Sequence, residues 1–293
     1  MRRLFFMVVA LLLLAGRAAA DNGSTTHETE RMSSAALGRD LVFSIYLPPG
    51  WAEGGRRYPV AYLLHGVDGN HLEYLHDGRL QAALDGLIAS GKAPPMIVVM
   101  PDGGNSWYVD SGDLGGPGNY GTAIGDELPA YVERVFRGIA EPGGRAIGGF
   151  SMGGFGALHL AFERPFRYAA AASLSGAFWT RIKPDTVMEN WTRRIFSGSF
   201  GQPFQPARFI RQNPFWTVES LAGAEHAPAV YLAVGAADPF RAELSTRDLE
   251  GRIAKSGLRH TLEIFPGGHD WSTWGAALPG MLQFFGTAFK APD

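Results

Sequence analysis

Apolar and polar positions divide the chain into short strand-like runs separated by amphipathic stretches. Residues 41–47 alternate, the period expected of a half-buried strand, whereas Val60–Leu64, 96–100, Arg145–Phe150 and 230–234 are nearly continuously apolar. Continuous short runs suit parallel strands buried on both faces. A further alternating run covers 259–265. Between these runs, residues 80–90, 123–136, 153–163 and 241–256 carry apolar positions at helical spacing, and the third ends at Pro165. Strands alternating with helices predict an α/β fold with a doubly wound, mostly parallel sheet. In such sheets ligands bind at the carboxyl ends of strands, so the residues just after each strand carry the functional information.

The rhythm fails at three places. The first is Met1-Arg2-Arg3, a dozen apolar residues from Leu4 to Ala15, and Ala18-Ala19-Ala20. A charged start, a short apolar core and small residues form an export signal with cleavage after Ala20. The core is shorter than the roughly 20 residues that span a bilayer, so no stable membrane anchor is expected. The second is 21–36, polar and aperiodic, which reads as a flexible lead-in. The third, 181–226, scatters Trp191, Phe196, Phe200, Phe204, Phe209, Phe215 and Trp216 among Gly, Pro, Arg and Gln. It reads as an aromatic-rich insertion after the nucleophile-helix region, either a lid or pocket wall or a satellite cluster packed over the sheet. The expected organisation is 1–20 export signal, 21–36 lead-in, and 37–293 one domain.

Composition narrows the chemistry. The chain has no cysteine, which removes disulfides, thiol nucleophiles and thiolate metal sites, so stability must come from a buried core. Apolar residues make up 46%, enough for one large core in about 270 residues. Loss of the three arginines in the leader takes the formal net charge from −2 to −5. No basic block of the kind that neutralises phosphates appears, so a nucleic-acid partner is not expected.

Against that background, Gly149-Phe150-Ser151-Met152-Gly153 stands out. It follows an apolar strand and opens a helix-like run, the strand–turn–helix setting of a nucleophile elbow. The turn leaves no room for side chains two before and two after the serine, where Gly149 and Gly153 stand. A bland reading is a Gly-rich turn that binds phosphate, but the run matches neither a P-loop nor Gly-x-Gly-x-x-Gly. An unassisted serine hydroxyl is a poor nucleophile; it needs a histidine base, oriented by an acid, in the order Ser, acid, His. His159 sits in the helix leaving the elbow, His226 before a strand and His260 inside one, whereas His269 follows a strand in Pro266-Gly267-Gly268-His269. Asp238 likewise follows the 230–234 run, while Asp185, Asp248 and Asp270 are worse placed; a helix cap or turn is the bland reading of Asp238. Two backbone donors must face the oxyanion: Met152 after the nucleophile, and Val67 in His65-Gly66-Val67-Asp68 after the 60–64 strand. His65 is then structural. Trp107 and Tyr108 follow another strand end, where they line the substrate pocket or simply pack. Trp271, beside His269, is a third pocket candidate.

Four segments also resemble one family: Tyr46-Leu47-Pro48-Pro49-Gly50, Tyr58-Pro59-Val60-Ala61-Tyr62-Leu63-Leu64-His65-Gly66, residues 149–154, and Gly267-Gly268-His269-Asp270-Trp271-Ser272-Thr273-Trp274. Together they resemble the putative-esterase family of α/β-hydrolases, from about residue 36 to 289. Relatives in that family include esterase D/S-formylglutathione hydrolase, feruloyl and acetylxylan esterases, enterochelin esterases and mycolyltransferases. The resemblance implies an α/β-hydrolase fold, no metal or organic cofactor, nucleophile Ser151, acid Asp238, base His269, and oxyanion donors Val67 and Met152. His65-Gly66-Val67-Asp68 and the leader depart from the cytosolic S-formylglutathione hydrolases. The expected function is therefore a periplasmic or secreted serine esterase acting on a small-molecule or carbohydrate ester. Two alternatives are acyl transfer to a carbohydrate hydroxyl by the same triad, and a silent hydrolase fold used for binding, which would lack a triad member.

Overall fold

The computed structural model describes residues 23–180 and 193–290. The expected export signal lies outside the described residues, as do 181–192 at the start of the insertion, with Trp191. Eight strands form one sheet: β1 Thr25–Ser34, β2 Arg39–Leu47, β3 Val60–Leu64, β4 Ile97–Pro101, β5 Arg145–Phe150, β6 Ala170–Leu174, β7 Ala229–Gly235 and β8 His260–Phe265. Their order across the sheet is β1-β2-β4-β3-β5-β6-β7-β8. Pairs β1–β2 and β2–β4 are antiparallel, and every pair from β4 to β8 is parallel.

The strand period sorts the buried side chains into two cores. Val60, Tyr62, Leu64, Ile147 and Leu232 point to one face, while Ala61, Leu63, Ala146, Ala172 and Ala233 point to the other. The principal helices are α1 Glu73–His76, α2 Leu80–Ala89, α3 Leu128–Val135, α4 Met152–Glu163, α5 Pro206–Gln212, α6 Ala242–Lys255 and α7 Trp271–Ala288. Leu128 and Val132 of α3, Phe155 and Leu158 of α4, and Leu249 and Ile253 of α6 cover the first face. Leu80 and Leu84 of α2, with Leu278, Met281, Leu282 and Phe285 of α7, cover the second. Each such side chain contributes roughly 1.5–3 kcal/mol by leaving water. The doubly wound, mostly parallel sheet expected from the apolar runs is therefore the observed architecture.

Three elements differ from the sequence reading. Residues 25–34, expected as a flexible lead-in, form β1 and pair with β2 from Thr25↔Leu47 to Ser34↔Arg39. An edge strand needs only one partner and can leave most side chains in water, so its polar sequence hides it. Strand β6, Ala-Ala-Ala-Ser-Leu, is built of weak strand formers, yet all five residues are buried between β5 and β7. Small side chains there let helices approach both faces. Helix α7 contains Pro279 and three glycines, which weaken its local signal; its packing against the second core decides its state.

Strand β3 lies between β4 and β5, so the chain leaves it to one side and later returns on the other. This is the switch point where open α/β sheets bind ligands. The loops after β3 and β5 carry Val67 and Ser151.

Candidate active site

Ser151 sits at φ 54° and ψ −118°, between β5 and α4. A non-glycine residue rarely adopts this backbone, and the cost is of order 1–3 kcal/mol. The surroundings enforce it. A Cβ on Gly153 would lie 2.0 Å from the Leu64 carbonyl oxygen, and one on Gly149 would lie 2.4 Å from the Gly153 carbonyl carbon. The Ser151 N–H donates to the Leu174 carbonyl at 2.9 Å, which ties the turn to the end of β6. The sharp turn lifts the serine hydroxyl out of the sheet and starts α4 directly behind it, so Met152 is the first residue of that helix.

Two other strand ends complete the constellation. His269 Nε2 is 2.9 Å from Ser151 Oγ, and its Nδ1 is 2.6 Å from Asp238 Oδ2. The Asp238 carboxylate is fully buried, and its Oδ1 also accepts the Phe240 N–H at 2.9 Å. Burial alone would raise the pKa of this acid. The hydrogen bond and charge of His269 oppose that, with the N–H groups of Phe240 and Ala242, and the net result is a pKa below the ordinary carboxylate range. Asp238 therefore stays ionised as the partner of the ring. Asp270 caps α7 by accepting the Ser272 and Thr273 N–H groups at 2.9 and 3.3 Å, which fixes the turn carrying His269. Phe240 and Trp274 present rings to that histidine at centroid distances of 4.9 and 5.1 Å. The three residues expected to act together from sequence are thus brought into one hydrogen-bonded chain.

Val67 lies in the loop after β3, next to Gly66, whose added Cβ would be 3.4 Å from the Ser151 Cβ. That loop is fastened to the one after β4. His65 is buried; its Nε2 accepts the Gly103 N–H at 2.9 Å and its Nδ1 lies 2.8 Å from the Gly66 carbonyl. Because Nε2 accepts, the ring proton sits on Nδ1 and points to Gly66. Asp68 and Asn105 exchange two hydrogen bonds, backbone N–H to Oδ1 at 2.8 Å and Nδ2 to Oδ1 at 2.7 Å. Sequence reasoning missed this brace. The signal for it is Asp102 and Asn105 flanking two glycines at the end of β4.

A cavity of about 330 Å³ opens over Ser151 and His269. Val67, Trp107 and Trp271 line it, together with Trp179, Phe240 and Trp274. Tyr108 does not. Its side chain is fully buried, its hydroxyl donates to the His65 carbonyl at 2.9 Å, and its ring fills the space beside Gly103 and Gly156. The pocket role expected of Tyr108 is therefore corrected to packing, which holds the strand end that anchors His65. Trp107 is also fully buried, yet it lines the cavity, and its indole N–H donates to the Ile195 carbonyl of the insertion at 2.8 Å. Its ring packs on Phe196 and Phe155 at 4.7 and 5.2 Å. The described part of the insertion serves both roles weighed from sequence. Phe196, Phe200 and Phe209 join the first core, while Ile195 forms part of the cavity wall.

Among the described residues, no group of three or more His, Cys, Asp or Glu could hold a metal ion, and no helix is long and apolar enough to cross a membrane. The arrangement suits chemistry by protein groups: a serine with a base, an oriented base, and a helix start behind the reacting atom.

Comparison with known proteins points to one family and one fold. A family model described as Putative esterase matches residues 34–285. Esterase Rv1288 of Mycobacterium tuberculosis is 31% identical over 261 residues, covering 82% of this chain and 54% of its own length. The chain thus spans about half the length of that relative. An acetyl esterase of Caldicellulosiruptor saccharolyticus is 28% identical over 232 residues, 76% of this chain and 81% of the relative. A solved ferulic acid esterase superposes with a TM-score of 0.75 at 23% identity, covering 92% of this chain and 99% of the other. This last likeness shows that the fold is that of α/β-hydrolase esterases.

Proposed function

The chain belongs to the Putative esterase family, and from that premise we propose that it is a serine carboxylic-ester hydrolase working through Ser151, His269 and Asp238. The observation that carries the reading is the continuous chain Ser151 Oγ, His269 Nε2, His269 Nδ1, Asp238 Oδ2, with separations of 2.9 and 2.6 Å at a strained serine that lines the cavity. Ser151 Oγ attacks the acyl carbonyl as His269 Nε2 takes its proton, and the negative charge moves to the carbonyl oxygen. The Met152 N–H, at the start of α4, and the Val67 N–H face that oxygen, and the dipole of α4 favours it. Asp238 holds the Nδ1–H and stabilises the imidazolium. His269 then gives the proton to the leaving alcohol, which departs and leaves an acyl-serine. Water, deprotonated at the same nitrogen, attacks the acyl carbon; collapse releases the carboxylic acid and restores the serine.

The testing experiment is Ser151→Ala on short 4-nitrophenyl esters. The expected loss in kcat is on the order of 10⁶-fold with an unchanged thermal transition, as for removal of a nucleophile from a serine triad. Wild-type turnover in that variant would overturn the reading.

A further inference from the structure

The cavity over Ser151 has a polar feature that the hydrolytic steps do not use. Among its described lining residues the ionisable side chains are His269 and Glu73, and Glu73 is not in the triad. It stands on α1, beyond the loop that carries Val67. Its Oε2 is shut off from solvent and has no hydrogen-bond partner among the described residues. That oxygen lies over Gly69, where an added Cβ would come within 2.3 Å of it. The adjoining wall is aromatic. Tyr74, Trp271 and Phe150 follow one another edge to face at 5.4 and 5.0 Å, and Phe150 stacks on Trp274 at 4.4 Å. A carboxyl group in such surroundings is a local cost unless it meets a partner.

We propose that Glu73 is a specificity-determining residue that hydrogen-bonds a hydroxyl group of the substrate, so that the cavity selects esters carrying a free hydroxyl along the wall between α1 and α7. This rests on the esterase reading above. A hydroxyl fits better than a cation, although the rings would also favour a cation. Burial is the leading influence on the Glu73 carboxyl and pushes its pKa up; the negative charge of Asp77 adds to this, and His65 and the backbone N–H of Asn70 oppose it. A carboxyl group accepts from a hydroxyl in either protonation state, so this pairing does not depend on its charge, whereas pairing with a cation needs the ionised form.

The test compares wild type, Glu73→Gln and Glu73→Leu on matched pairs. One pair varies the acyl side: 4-nitrophenyl esters of 3-phenylpropanoic and 3-(4-hydroxyphenyl)propanoic acid. The second varies the alcohol side: butyl butanoate and glyceryl monobutanoate. Butyrylcholine represents the cationic alternative. Glu73→Leu is expected to lower kcat/KM about tenfold or more for the hydroxylated member of one pair, the size of one hydrogen bond to a carboxyl group. The plain member should change less than threefold, and Glu73→Gln should keep most of the preference. If the leucine variant does not fold, Glu73→Ala removes the same group and gives the same comparison. Equal changes in both members of both pairs overturn the proposal while leaving the esterase reading intact. So does a wild-type preference for butyrylcholine that Glu73→Gln abolishes. Absence of Ser151-dependent cleavage of every ester, plain ones included, removes the esterase reading itself and this proposal with it.

Discussion

The strand ends that carry Ser151, Asp238 and His269 and the aromatic insertion that walls the same cavity are held by different forces. At the strand ends, backbone geometry and hydrogen bonds dominate: a serine at positive φ, two glycines whose Cβ atoms would strike backbone, and a carboxylate whose oxygens are all engaged. In the insertion, rings hold rings. Phe196 stacks on Phe204 at 4.9 Å, Phe200 meets Phe196 and Phe209 at 5.1 Å each, and Phe209 stacks on Phe155 of α4 at 5.9 Å. Hydrogen bonding is directional and needs particular atoms at particular places, whereas apolar packing needs volume and tolerates exchange. Under the proposed mechanism the first region sets the reaction, and the second sets the shape of the space around it.

If that division is right, a change that alters one atom at the strand ends has a large functional effect even where the nucleophile is kept. Asp238→Asn keeps the shape of the acid but offers His269 Nδ1 an amide that can stabilise the wrong tautomer. The expected fall in kcat is about 10⁴-fold, with a thermal transition within a few degrees of wild type. A fall below tenfold would show that His269 is oriented by its packing against Phe240 and Trp274, which would erase the contrast between the regions.

The insertion should respond in the opposite sense. Phe200 is fully buried against Trp107, Phe155, Phe196 and Phe209. Phe200→Ala leaves a cavity there and is expected to cost about 3–5 kcal/mol of stability. That lowers the melting temperature by about 10 °C for a domain of this size. Turnover per folded molecule at 25 °C on short esters should stay within tenfold. Loss of turnover without loss of melting temperature would place the insertion among the groups that act directly on substrate.

The same contrast explains what could be read from sequence. The placement of Ser151, Gly149, Gly153, Asp238 and His269 was legible because a nucleophile elbow, an acid and a histidine at successive strand ends leave a short list of residue types in a fixed order. The parallel strands were legible because burial on both faces forces continuous apolar runs. Strand β1 was not, because an edge strand needs no apolar run of its own, and β6 was not, because alanine is a poor strand former that close packing here prefers. Tyr108 misled for a related reason: an aromatic ring near a pocket reads the same in sequence whether its hydroxyl faces substrate or the carbonyl of His65. Glu73 carries no local pattern at all. Its place in the cavity follows from where α1 lands after the β3 loop, a tertiary fact.

The smallest expected effect lies where the two kinds of force meet, in the brace under the Val67 loop. Asp102 is held below the ordinary carboxylate range; His65 lies 3.8 Å away but turns an accepting nitrogen toward it, so the attraction comes from His71 at 3.4 Å and from the Gly104 N–H, which donates at 3.0 Å. A depressed folded-state pKa means that the unfolded chain binds the proton more readily. The stabilisation is therefore fully present above the ordinary aspartate value of about 3.9 and is lost as pH falls toward the lower folded value. Asp102 is partly exposed, so solvent screening keeps the effect modest. Asp102→Asn removes the charge and with it this pH dependence. The melting temperatures of wild type and variant should differ most at pH 6–8 and converge as pH falls below about 4, with kcat changed less than the melting temperature implies. A gap that stays constant from pH 7 to pH 3 would mean that Asp102 acts through shape alone, and the loop beneath Val67 would then belong with the packed insertion instead of with the hydrogen-bonded strand ends.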